Sequence, residues 1–139
     1  MLESGDDLWG SYSYGEFYVF QRQEFKAIRF YIPKWKNSFV TCIAIEGNRI
    51  FTGHSNGNVC LLEGESFDGD FKVLWKHKGS VTKLLVHQGK LYSCGYDGTV
   101  LMEDNGHLID SSLLSMNGLC AFGNEIVWID AGGRIIRED

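Results

Sequence analysis

The side chains of this chain that could do chemistry are few and scattered. His54, His77, His87 and His107 sit in four different local contexts, and none forms the His-x-His or His-x-x-x-His pair that sets two imidazoles toward one metal. Cys42, Cys60, Cys94 and Cys120 are widely spaced inside apolar runs, with no Cys-x-x-Cys among them. Metal-binding thiols usually come in close pairs on loops, so these four read as reduced, small core side chains rather than as two disulfides or a zinc site. Gly132-Gly133 falls in a hairpin turn with no helix after it, so the amide cluster that cradles a phosphate is missing. No nucleophile beside a base, and no specific pair of carboxylates, completes a catalytic set. The expectation is a non-enzymatic chain with no cofactor and no metal.

The elements that must position these residues are hairpins. Gly89 to Asp104 reads as two β-prone runs, one around Leu91, Tyr92 and Cys94 and one over Thr99 to Met102, joined by the turn residues Tyr96-Asp97-Gly98. Its outline recurs. Residues 5–15 align without a gap on residues 47–57, and the same frame returns from Gly89 to Gly98 and from Gly123 to Gly133. Each copy has a Gly, two residues that are often polar, an apolar run, a polar turn and a second Gly. Each then enters a short apolar strand: Phe17-Tyr18-Val19-Phe20, Val59-Cys60-Leu61-Leu62, Val100-Leu101-Met102 and Ile135-Ile136. Seventeen glycines against one proline fit such frequent turns.

A period near 40 residues with several short strands per unit is the signature of a β-propeller, each unit making one blade of four antiparallel strands, a (inner) to d (outer). Outer strands are expected at 25–32 and 71–77, inner strands at 39–45 and 81–87, and Leu108 to Leu114 with Gly118 to Phe122 fill these roles in the fourth unit. The inner pair shares Val-Thr, at Val40-Thr41 and Val81-Thr82. The chain divides into units 1–34, 35–77, 78–114 and 115–139 of a single all-β domain. It is read as beginning at strand b and stopping after strand c, which makes fourteen strands or about three and a half blades. Closed propellers use at least about four. Three explanations fit: a fragment of a longer propeller, two copies closing one ring, or a different protein donating strands.

The repeats resemble those of the WD-repeat family. There a histidine four residues before a valine, a Ser or Thr in the second strand, an Asp-Gly turn and a closing Trp-Asp form a network that stiffens the blade. His77-Lys78-Gly79-Ser80-Val81, Ser93 and Asp97-Gly98 match three of those positions, which implies structural roles for His77, Ser93 and Asp97. Glu103 stands where the tryptophan would be, although Asp104 keeps the residue after it. The preceding unit departs further, with Lys36, Thr52, Asn56-Gly57 and Leu62-Glu63 in the four places. The quinoprotein-type propeller repeat is the competing resemblance, with a Trp near where Trp75 lies.

In propellers the loops joining d to a and b to c gather at one rim of the central channel. Candidate partner-binding residues are therefore Trp35, Lys36, Lys78 and Met116 from the first set, and Tyr12, Tyr14, His54 and Tyr96 from the second, since aromatic residues and long cations commonly anchor interfaces. The function expected is a protein-interaction scaffold, its partner a protein or a second copy that completes the propeller. The basic, aromatic segment 22–36 offers an alternative, a nucleic-acid-binding propeller, and the quinoprotein-type resemblance implies a further one, a quinoprotein-like propeller enzyme. A net charge of −5 weighs against nucleic acid and against anionic membrane. No apolar run is long enough to span a membrane and MLESGDD lacks a signal-peptide plan, so an intracellular location is expected, cytoplasmic or nuclear.

Overall fold

A computed structural model describes residues 2–4, 7–11, 17–21, 26–31, 38–47, 49–62, 71–103 and 105–138, with side-chain surroundings from residue 38 to 137. Fifteen strands make four antiparallel sheets among these residues. They are β1 (Leu2–Ser4), β2 (Asp7–Ser11), β3 (Phe17–Gln21) and β4 (Lys26–Tyr31); β5 (Val40–Glu46), β6 (Arg49–His54), β7 (Asn58–Leu62) and β8 (Phe71–Lys76); β9 (Val81–His87), β10 (Lys90–Gly95), β11 (Thr99–Met102) and β12 (His107–Ser111); and β13 (Met116–Phe122), β14 (Glu125–Asp130) and β15 (Ile135–Glu138). In every sheet the strands pair in chain order. The fold is all-β, built of propeller-type blades. No helix among the described residues is long and apolar enough to cross a membrane.

The strand count corrects the sequence reading. The first sheet has its own inner strand, β1, paired Ser4↔Asp7 and Leu2↔Trp9. Leu2-Glu3-Ser4 is three residues with one apolar side chain, too little for alternation to register in sequence. Three sheets thus have four strands and the last has three.

Sheets β5–β8, β9–β12 and β13–β15 stack face to face. The first seam holds Ala44, Phe51, Val59, Trp75, Val81 and Leu91, the second Cys94, Val100, Met116, Ile126 and Trp128. Because alternate residues of a strand face opposite sides, a middle strand serves two seams: Leu91 packs back on β5–β8, while Cys94 packs forward on β13–β15. Inner strands are correspondingly apolar on both sides.

The b-to-c turns of the second and third sheets close with glycine for a steric reason as well as a torsional one, whereas at Gly133, in the last sheet, nothing lies within 4 Å of a would-be Cβ. Gly57 and Gly98 have φ of 96° and 79°, and a Cβ at either would lie 2.2 Å from a carbonyl oxygen, that of His77 or Ser112. The same residues bind there: His77 N–H donates to Gly57 O at 2.8 Å and Ser112 N–H to Gly98 O at 2.7 Å. The exits from β8 and β12 are thus each laid on the turn of their own blade. Gly47 also has positive φ, at 56°, but nothing lies within 4 Å of its would-be Cβ. Urea unfolding should therefore show Gly98→Ala costing about 2–4 kcal/mol, while Gly47→Ala costs only the torsional share of about 1 kcal/mol. Equal losses would mean that the carbonyl contact at Gly98 relaxes away.

Candidate functional site

The exits from β8 and β12 lead into the loops at the rim, and a buried polar chain ties the first of them to the next blade. Trp75, two residues before the loop, donates its indole N–H to Ser93 Oγ at 2.8 Å. Ser93 Oγ lies 2.7 Å from His77 Nε2. On the other edge of the ring, His77 Nδ1 lies 3.0 Å from Asp97 Oδ1 and 2.9 Å from Thr99 Oγ1. The donors and acceptors admit one consistent assignment for a neutral ring: Nδ1 carries the proton toward Asp97, and Nε2 accepts from the Ser93 hydroxyl. Asp97 further accepts from Lys78 N–H at 2.9 Å and from the Thr99 hydroxyl at 2.8 Å. His77 and Ser93 are 1% and 0% exposed, so this is interior structure.

The network places the tryptophan elsewhere than the WD-type pattern implies. Glu103 does not stand in for it; its carboxylate accepts from Leu91 N–H at 2.8 Å and holds the far end of the hairpin. Trp75 comes from the outer strand of the preceding sheet, so the network spans a seam. The second seam repeats the link with the chemistry exchanged: Trp128, at the repeat position of Ser93, donates to Asp110, at the position of Trp75, at 2.7 Å. Asp130 accepts from Ser112 at 2.8 Å, and Arg134 bridges Asp130 and Asp110. In β6 the corresponding position is Thr52, whose hydroxyl lies 2.8 Å from His54 Nε2.

The charge states follow from these surroundings. Burial pushes the imidazole of His54 down to about 4. Burial also lowers His77, against the opposing pull of Asp97. For Asp97, burial alone would raise the carboxyl, but the Lys78 amide, Thr99 and His77 outweigh it and hold it below the usual carboxylate range. Burial raises the thiols of Cys42 and Cys60 to about 11 and about 12, which leaves them protonated and poorly nucleophilic. Among the described residues no three His, Cys, Asp or Glu side chains converge to hold a metal ion.

The rim is built by one backbone link used three times. Ser55 N–H donates to Phe39 O, Tyr96 N–H to Ser80 O and Ala131 N–H to Ser115 O, at 2.9, 2.9 and 2.8 Å. Each bond joins a b-to-c turn to the loop that enters the same blade, so both loop sets lie at one edge. Tyr96 is held there 63% exposed, and Lys78 is exposed beside it. Tyr96, Ser80, Val81, Thr82, Thr41 and Asn117 surround an open cavity of about 300 Å³. Two expected rim residues are elsewhere. His54 is 0% exposed and packs edge-on against Phe71, because its position in β6 turns it inward. Met116 is also 0% exposed, since it begins β13 rather than closing a loop. Tyr12, Tyr14, Trp35 and Lys36 lie outside the described residues, as do residues 22–25 and 32–36 of the basic segment. His87 ends β9, half-buried, and His107 begins β12, exposed.

No protein-family model matches the chain. DENN domain-containing protein 3 of Mus musculus is 30% identical over 99 residues, which are 68% of this chain and 8% of that protein; the chain thus spans a small part of its relative's length. Solved structures share the fold. The computationally designed Ika4 protein superposes with a TM-score of 0.78 at 19% identity, over 98% of this chain and 86% of that one. The designed Ika8 protein gives 0.73 at 19% identity, over 98% and 43%. A chain of the mitotic checkpoint complex gives 0.79 at 14% identity, over 96% and 45%.

Two measurements check the network. Ser93→Ala removes the atom shared by Trp75 and His77 and strands a buried indole N–H, so unfolding free energy should fall by about 2–4 kcal/mol; a fall under about 1 kcal/mol would mean that the pair finds other partners. Since His54 and His77 bind protons less readily when folded, the unfolded chain holds more protons below its own histidine pKa. Stability is then complete above about pH 6.5 and falls as the pH drops toward about 4, the value of folded His54. Chemical denaturation from pH 7 to 4 should show that decline, with a shallower slope in His54→Asn.

Proposed function

We propose that this chain is a non-enzymatic protein-interaction module made of degenerate WD-type repeats, working within a larger polypeptide or complex. The observation that carries the reading is the rim: Tyr96 is backbone-anchored yet 63% exposed, next to Lys78 and an open cavity. A rigid loop that displays an aromatic ring loses little entropy on binding and suits a protein partner. The histidines and cysteines that would otherwise invite an enzymatic reading are explained by packing, since His54, His77, Cys60 and Cys94 are buried. The match to a short part of a much longer protein, and to a chain from a protein complex, fits a module that acts inside something larger.

The test is comparative co-purification from native cells followed by quantitative mass spectrometry. Tyr96→Ala should lower recovery of specific co-purifying proteins about tenfold or more, as for an interface anchor, while leaving the thermal unfolding transition unchanged. Unaltered recovery of every co-purifying protein would remove the rim as the binding surface, and a lowered transition would return Tyr96 to a structural role.

A further inference from the structure

The exposed face of β13–β15 presents the same interface that the chain uses twice internally. Val59, Val100 and Ile135 each stand two residues after the turn glycine of their unit, yet the first two are 0% exposed and Ile135 is 62% exposed. Val59 is covered by β9–β12 and Val100 by β13–β15. Trp128 and Ile126 face back into the second seam, so alternation sends Val127, Ile129 and Ile135 to the opposite side. Phe122, 70% exposed, lies on that side with Arg137 over its ring at 5.8 Å.

A polar device accompanies each internal seam. In β5, β9 and β13 the second residue is the extra residue of a β-bulge: pairing skips Thr41 between Val40 and Cys42, Thr82 between Val81 and Lys83, and Asn117 between Met116 and Gly118. A bulge re-aims its side chain, here toward the next inner strand. Thr41 Oγ1 donates to Val81 O at 2.6 Å, and Thr82 Oγ1 donates to Met116 O, the first residue of the following inner strand in both cases. Asn117 occupies the third such bulge, is exposed, and carries an amide donor in place of the hydroxyl.

We infer that the outward face of β13–β15 docks one further propeller-type blade, an antiparallel sheet with an apolar face, and that Asn117 donates to the backbone carbonyl opening that blade's inner strand. Continuity with the two internal seams fixes the occupant as a blade rather than a helix or an extended peptide, because the apolar positions and the bulge donor recur at blade spacing. This chain covers 43% of the matched Ika8 chain and 45% of the checkpoint-complex chain, against 86% of the Ika4 chain, so propeller folds that share its blades occur both with and without further ones. The apolar part of this face, Phe122, Val127, Ile129 and Ile135, stands apart from the rim, which the face meets only at Asn117, on the cavity that Tyr96 also lines.

The test places photoreactive p-benzoylphenylalanine at Phe122 in the natural full-length protein, expressed in its own cells, with the cross-linked residue mapped by mass spectrometry. The expected product joins Phe122 to a strand of a Gly, apolar run, Asp-Gly or Asn-Gly hairpin repeat outside residues 1–139. Asn117→Ala should lower its yield about three- to tenfold, the range for one hydrogen bond to a backbone carbonyl. Tyr96→Ala should not change it, so failure at the face and failure at the rim are told apart. Cross-links into a second copy of residues 1–139 or into a helical segment, the absence of any cross-link, equal yields with Asn117→Ala, or a fall with Tyr96→Ala would each overturn the proposal.

Discussion

The constraint on which this structure depends is that stacked sheets must bury polar groups at one edge of an otherwise apolar seam. Two flat apolar faces can slide past one another by a residue at little cost, and the hydrophobic effect does not choose the register. The chain Trp75, Ser93, His77, Asp97 does choose it. Each member is satisfied only when outer strand, loop, second strand and turn sit in one relation, and a slip would leave a buried indole N–H and imidazole without partners.

The second seam solves the same problem with different side chains. Indole and acceptor trade places between Trp75 with Ser93 and Asp110 with Trp128, and Asp130 with Arg134 takes over the turn that Asp97 and His77 hold in the first. Any donor and acceptor of matching reach satisfy the geometry, which explains how the repeats drift in sequence while their backbone links stay within 0.1 Å of one another. Those links tie the turns of the rim to the loops that enter the same blades.

Much of this was legible in the residues. The glycine frame marked the turns because positive φ and close carbonyl approach exclude other residues, as at Gly57 and Gly98. His77, Ser93 and Asp97 could be grouped from their match to the WD-type pattern, which joins the last residue of unit 35–77 to two residues of unit 78–114. Trp75 could not, because its partner lies 18 positions away across a sheet boundary and the pattern placed the indole at residue 103. His54 was read as a displayed loop residue since its neighbours Ser55-Asn56-Gly57 are turn formers; its own position, two after Thr52, turns it into the interior. The shared Val-Thr of the inner strands was visible, but its meaning as a bulge donor was not.

What the sequence by itself determined is the local part: strands, turns and their repetition every 35 to 42 residues, since these follow from apolar alternation and from torsions open only to glycine. Tertiary structure alone decided which side chains meet. A strand shows which residues share a face but not what is brought against it, and burial is a property of the neighbour. Val100 and Ile135 occupy one repeat position in similar apolar strands, and a covering sheet makes one of them core and leaves the other open.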